Sequence, residues 1–229
     1  VIRVVRVLFV SDLHIEDNNK YGQLSWMKAL VRKYRPDMLL SAGDNGELLA
    51  EDIEQLKVQF YTIYGNHDRP EFVQSDKMLS KYWLADGLHV FYNGLRILAW
   101  NGIFGFRTDR KRKWYHRSLD DAVRLAFKHQ RSKVDIFISH EVPWYQFGKK
   151  RTQEYLAVMN FIVKMVKPKV WLNGHMHLPE PVTYDVKTFK PTVYVRVDSR
   201  VCSHGYAVID FEEDDFKVKL GGVKQCSLF

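Results

Sequence analysis

Cysteine is scarce in this chain. Its 229 residues hold two, Cys202 and Cys226. That is too few for a disulfide framework and favours a reducing compartment, so a cytoplasmic protein is expected. Long apolar runs are missing as well. No stretch approaches the roughly 20 residues of a membrane helix, and no membrane span is expected. The opening "VIRVVRVLFV" carries Arg3 and Arg6 within its apolar run. It therefore reads as a strand, not as a signal peptide. Repeats, low-complexity segments and domain-splitting linkers are absent too. The expectation is one domain spanning 1–229, with no separate cap.

What is present suits a globular enzyme-sized domain. Hydrophobic residues make up 46% of the chain, enough to bury a full core without staples. The formal net charge is +8, which favours anionic partners such as nucleic acid, nucleotides or acidic lipids. The C-terminal "CSLF" has the outline of a prenylation box, a loose pattern that chance meets easily.

Short apolar runs alternate with amphipathic stretches. Strands are expected at 4–10, 37–42, 58–65, 134–139 and 169–173, with a hairpin over 88–100 turning at Asn93-Gly94. Helices are expected near 24–34, 47–57, 70–84, from Ser118, and from Thr152 to Val166. Ser118 with Asp121 has the form of a capping box, and the helix behind it should bury Leu119, Ala122, Val123, Ala126 and Phe127. The last part is strand-rich. Fully apolar strands separated by helices argue for a sheet covered on both faces.

The polar residues of interest follow those strands. Asp12-Leu13-His14 follows the first, Gly43-Asp44 the second, and Gly65-Asn66-His67-Asp68 the third. His140 follows "VDIFIS", and Gly174-His175-Met176-His177 follows "KVWLN". In an open α/β sheet, ligands bind beyond the carboxyl ends of the strands. Asp12, His14, Asp44, Asn66, His140, His175 and His177 offer oxygen and imidazole donors without thiolate. That mixture suits borderline divalent cations: Mn²⁺, Fe²⁺ or Zn²⁺. Seven donors exceed one tetrahedral ion and suit two ions sharing a carboxylate. Each piece alone is weak, since "GD" or "GNHD" would often be a turn. Five at equivalent strand ends are a different matter.

This pattern resembles the calcineurin-like metallophosphoesterase superfamily, whose D-x-H, GD, GNH, His and GH-x-H motifs stand here in order. The resemblance implies a four-layer α/β/β/α sandwich with two packed mixed sheets. It implies that Asp12, His14 and His177 bind one metal and that Asn66, His140 and His175 bind the other, with Asp44 bridging. Manganese is the favoured ion, with iron or zinc as alternatives. His67 resembles the family's acid or transition-state stabiliser. Two cations would neutralise a phosphoester and bring a bound water's pKa near neutral, so that hydroxide attacks phosphorus in line, and His67 could protonate the leaving alkoxide.

The sequence departs from the family at Glu47, where an Asp commonly orients the GNH histidine. A Glu47–His67 hydrogen bond is expected in its place, although Glu47 also suits an ordinary helix N-terminus. No Tyr of the purple acid phosphatase kind stands there. Asp12 occupies the position at which the lariat-debranching branch usually has Cys. His89 reads as structural, His129 as a solvated helix residue, and His204 as a candidate substrate contact. Arg107, Arg110, Lys111, Arg112, Lys113 and Trp114 form a basic, aromatic stretch suited to nucleic acid, or else a solvated loop. The leading expectation is a phosphodiesterase acting on an anionic phosphoester, nucleic acid or nucleotide. A phosphomonoesterase and a non-catalytic scaffold are the alternatives.

Overall fold

The computed structural model describes residues 4–91, 93–104, 118–143, 153–213 and 215–223. The basic stretch at 107–117, Thr152 and the terminal CSLF lie outside them.

Eleven strands and six helices alternate along the described chain. The first half runs β1 (Val5–Val10), α1 (Lys20–Tyr34), β2 (Met38–Ser41), α2 (Ala50–Glu54), β3 (Gln59–Thr62), α3 (Pro70–Ser75) and α4 (Lys77–Ser80). Then come β4 (Gly87–Val90), β5 (Arg96–Trp100), α5 (Leu119–His129), β6 (Ile136–Ser139), α6 (Gln153–Val166) and β7 (Val170–Asn173). The last strands are β8 (Val182–Asp185), β9 (Val193–Val197), β10 (Tyr206–Glu212) and β11 (Asp215–Gly221).

They form two mixed sheets, ordered β11-β10-β1-β2-β3 and β4-β5-β6-β7-β9-β8. β1, β2 and β3 run parallel, as do β5, β6, β7 and β9. The apolar residues sort by strand period. Val7, Phe9, Met38 and Leu40 meet Ile97, Ala99, Ile136, Ile138, Val170 and Leu172 in one buried cluster between the sheets. Alternate residues face outward. Leu8, Val10 and Leu39 pack on Leu24, Met27 and Leu30 of α1 and Ile53 of α2. Leu98, Phe137 and Trp171 pack on α5 and α6 through Ala122, Ala126, Ile162 and Val163. Each sheet is thus covered on both faces, giving the α/β/β/α sandwich. The central strands β2, β6 and β7 are buried along their whole length because neither face meets water.

Local signals set the boundaries. Arg35 closes α1 in a left-handed conformation ahead of Pro36. Ser118 Oγ accepts from Asp121 N at 3.1 Å and starts α5. Three expectations need correction. The single helix over 70–84 is two short ones, because Asp76 is extended and caps α4 by accepting from Met78 N and Leu79 N. The buried stripe of α5 is Ala122, Leu125, Ala126 and His129, while Phe127 is 52% exposed. His129 is therefore buried, not solvated. Among the described residues no helix is long and apolar enough to cross a membrane.

Candidate metal centre

The parallel strands of both sheets end on one side, and the donors gather there. Asp12 and His14 come from the loop after β1, Asp44 from that after β2, and Asn66 from that after β3. His140 follows β6, and His175 and His177 follow β7. Two groups result. Asp12, His14 and His177 each offer a donor atom within 4.8 Å of the others, and so do Asp44, His140 and His175. Asn66 joins the second group, with Oδ1 at 3.0 Å from His140 Nε2. Asp44 reaches both: its Oδ2 lies 3.2 Å from His140 Nε2 and 3.9 Å from His14 Nε2.

The backbone is bent to achieve this. Asp12, His14, Asp44 and His175 all have positive φ, between 43° and 70°. Non-glycine residues hold that conformation only where the surroundings enforce it, and such residues cluster at functional sites. Here the surroundings are main-chain bonds. Asp12 N donates to Gly43 O at 3.0 Å and His14 N to Asp44 O at 3.0 Å. Asp12 Oδ2 accepts from His175 N at 2.9 Å, joining the two sheets' loops. Gly65 and Gly174 permit the approach. A Cβ on Gly65 would collide with Asp44 Oδ1, and one on Gly174 with Ser11 Oγ.

Partners behind the donors fix the imidazoles. His140 Nδ1 donates to Ala42 O at 2.7 Å, which aims Nε2 at Asp44 and Asn66. His177 Nδ1 donates to Asp198 Oδ2 at 3.2 Å. Asp198 is fully buried and is held in turn by Arg200 Nη2 at 2.8 Å and Ser203 Oγ at 3.1 Å. Buried Arg196 on β9 donates to Met176 O at 2.7 Å, between the two histidines of that loop. Asp68 accepts from Asp44 N, Asn45 N and Gly65 N at 2.8–2.9 Å. It clasps the second and third donor loops together. Asp68, Asp198 and Arg196 were not among the sequence candidates. Asp68 stands inside "GNHD", the only local signal any of them carried.

The electrostatics call for positive charge. Asp12 and Asp44 are both buried. Burial pushes the Asp12 carboxyl up to about 6, aided by Asp44 and opposed by His140 and His177. Burial also works to raise Asp44, but the charge and hydrogen bond of His140 outweigh it and hold Asp44 below the usual carboxylate range. Burial works to lower His140, and Asp44 and Asp12 reverse that, lifting it to about 10. Without a metal, a protonated His140 offsets these carboxylates; an ion held by its Nε2 would take the place of that proton. Burial drops His14 to about 4, so His14 is a neutral imidazole, and its buried Nε2 makes no hydrogen bond. An unpaired imidazole nitrogen beside two buried carboxylates fits a divalent metal site.

The remaining candidates fall elsewhere. His67 is exposed, with its ring 5.1 Å from that of His14 and its N–H donating to Asp44 Oδ1 at 2.7 Å. The expected Glu47–His67 hydrogen bond does not form. Glu47 is exposed, its N–H donates to Ile15 O at 2.8 Å, and its carboxylate has no hydrogen bond or ion pair. His204 stacks on Trp26 of α1, with ring centroids 4.8 Å apart, and is not part of either donor group. His89 Nε2 pairs with Ala85 O at 2.8 Å. Arg107, Arg110, Lys111, Arg112, Lys113 and Trp114 lie outside the described residues.

Two mixed sheets stacked face to face, with paired oxygen-and-imidazole clusters where their strands end, define the metallophosphoesterase class of hydrolase. The chain belongs to the calcineurin-like phosphoesterase family, whose sequence profile matches residues 5–179. It is 27% identical to the probable glycerophosphodiester phosphodiesterase GpdQ of Arcobacter nitrofigilis, across 75% of this chain and 71% of that protein. It is 29% identical to the lariat debranching enzyme of Entamoeba histolytica, across 42% of this chain and 34% of that enzyme. Among solved structures, TT1561 of Thermus thermophilus matches with a TM-score of 0.64 at 10% identity, covering 95% of this chain and 99% of that one. The calcineurin-like phosphoesterase YfkN of Bacillus subtilis matches with a TM-score of 0.51 at 13% identity, covering 96% and 90%. At these identities the two structures establish the fold.

One prediction concerns a supporting residue. Asp198→Asn removes the negative acceptor behind His177 and should weaken metal affinity about 10- to 100-fold, the usual range for such partners. Metal titration followed by calorimetry checks this. Unchanged affinity would show that Asp198 serves Arg200 and Ser203 and leaves His177 unaffected.

Proposed function

We propose that this protein is a phosphodiesterase working with two divalent cations, manganese before iron or zinc. The observation that carries the reading is the position of Asp44 Oδ2, within 3.9 Å of histidines from both donor groups. Asp12, His14 and His177 would hold one ion. Asn66, His140 and His175 would hold the other, and Asp44 would serve both. When bound, the cations supply charge to offset the phosphoester's own and a hydroxide at neutral pH.

The chain's residues do the rest. Asp44 keeps His67 at the mouth of the site through the backbone bond to its N–H. As an oxygen from water joins phosphorus and the ester P–O bond breaks, the leaving alkoxide needs a proton, and the exposed His67 imidazole is placed to give it. Ala42 O and Asp198 keep the Nδ1 protons on His140 and His177, so that each turns Nε2 to the site. The diester preference draws support from the relative named as a glycerophosphodiester phosphodiesterase. The case for nucleic acid rests on the charge of the sequence.

The test uses chelator-treated protein reloaded with Mn²⁺, Fe²⁺ or Zn²⁺, assayed on bis-p-nitrophenyl phosphate and p-nitrophenyl phosphate. Metal-dependent hydrolysis with the diester faster is expected; a faster monoester would overturn the diester preference. His67→Gln should lower kcat about 100-fold on an alkyl diester, the low end for a lost general acid. It should cost far less on a p-nitrophenyl ester, whose leaving group needs no proton. Equal losses on both esters would rule out the acid role.

A further inference from the structure

Beside the donor groups lies a cavity of about 470 Å³ that shares His14 with them and has His67 in its wall. We propose that it receives the leaving alcohol of the substrate, and that it selects a compact alcohol carrying positive charge. This inference rests on the phosphodiesterase reading above.

Position is the first argument. His67 is the residue placed to protonate the leaving oxygen, and it forms part of the cavity wall. A group leaving from His67 would have its body within that wall. Size is the second. Small-ligand sites commonly enclose about 300–1,000 Å³, so the space suits an alcohol of headgroup or nucleoside size. Its inner lining is apolar, with Leu48 and Leu79 each 1% exposed and Val73 4% exposed. That lining suits the carbon frame of such an alcohol.

Charge decides the class. The chain as a whole is basic, at +8, but this cavity is not. Glu16, Asp17 and Glu47 line it, and none of their carboxylates has a hydrogen bond or ion pair in the described structure. Of the two cations in the lining, Lys20 is bound to Asp52 at 2.7 Å. That leaves Arg69 against three carboxylates. An alcohol carrying a further phosphate, as a polynucleotide end would, meets like charge here. A protonated amine meets three acceptors, and the indole of Trp83 in the same lining adds an aromatic surface for a cation. Glu47, which does not orient His67, thereby gains a function as a specificity residue.

The experiment uses the metal-loaded protein and three methyl phosphodiesters that share an ethylene unit and differ in the group at its end: 2-aminoethyl, neutral propyl, and 2-carboxyethyl. Both kcat/KM and the binding of the matching non-hydrolysable phosphonates, by calorimetry, are measured. The aminoethyl ester should exceed the carboxyethyl ester by about tenfold or more, as three partly exposed ion pairs allow. Glu47→Lys together with Glu16→Lys should abolish or invert that ratio in both readouts. Equal values for the three ends, a preference for propyl, or a ratio untouched by the double variant would overturn the assignment. Charge preference in binding without any hydrolysis would fail the phosphodiesterase reading while leaving the cavity's selectivity intact. Hydrolysis without charge preference would do the reverse.

Discussion

Asp44→Asn should lower metal-dependent diester hydrolysis about 1,000-fold or more. The site is organised around that one anion, and a cation's stabilisation of transition-state charge is worth several kcal/mol. The replacement is isosteric and can still accept from His67 N. What it loses is the charge. Two measurements separate the effects. Metal content by mass spectrometry should fall below two ions per chain, and kcat on bis-p-nitrophenyl phosphate should collapse while far-ultraviolet dichroism stays native. A variant that keeps two ions and full turnover would exclude Asp44 as the shared donor.

The second large effect is on stability. Asp68→Ala should cost about 3–5 kcal/mol, because three buried N–H groups lose their acceptor and each unmet group costs about 1–3 kcal/mol. For a chain of this size that is a fall of roughly 10 °C or more in Tm. Asp68→Asn keeps one oxygen and should fall between. Thermal melts of the metal-free proteins read this without recourse to activity. A Tm within about 2 °C of wild type for Asp68→Ala would mean water replaces the carboxylate. The fold would then not depend on the clasp that joins Asp44 and Asn45 to Gly65.

The donors were legible in the sequence because each sits in a short motif at the end of an apolar strand. Strand periodicity locates the end, and the motif names the atom. Their supports were not legible, for a physical reason. Asp68 acts on residues 23 and 24 positions earlier, an approach made only when β2 and β3 pair. Asp198 lies in "VDSR", an ordinary strand exit, and its value depends on His177 turning toward it. Glu47 shows the limit of reading a role by spacing. Its backbone N–H is committed to Ile15, and its side chain joins the cavity wall instead of pairing with His67. The helix over 70–84 was legible as helical but not as broken, since Asp76 satisfies the break locally with its own side chain.

Each donor group draws on both sheets. Asp12 and His14 belong to the first and His177 to the second, while Asp44 and Asn66 belong to the first and His140 and His175 to the second. Among the described residues, the sheets otherwise meet through the apolar cluster between them and a few loop bonds. A cation held by either group therefore acts as a rivet through the two halves of the sandwich, and its binding energy adds directly to folding stability in proportion to the logarithm of free metal. Metal supply would then set the lifetime of the folded chain as well as its turnover, so that starvation for the ion and exposure to proteases would be one and the same stress.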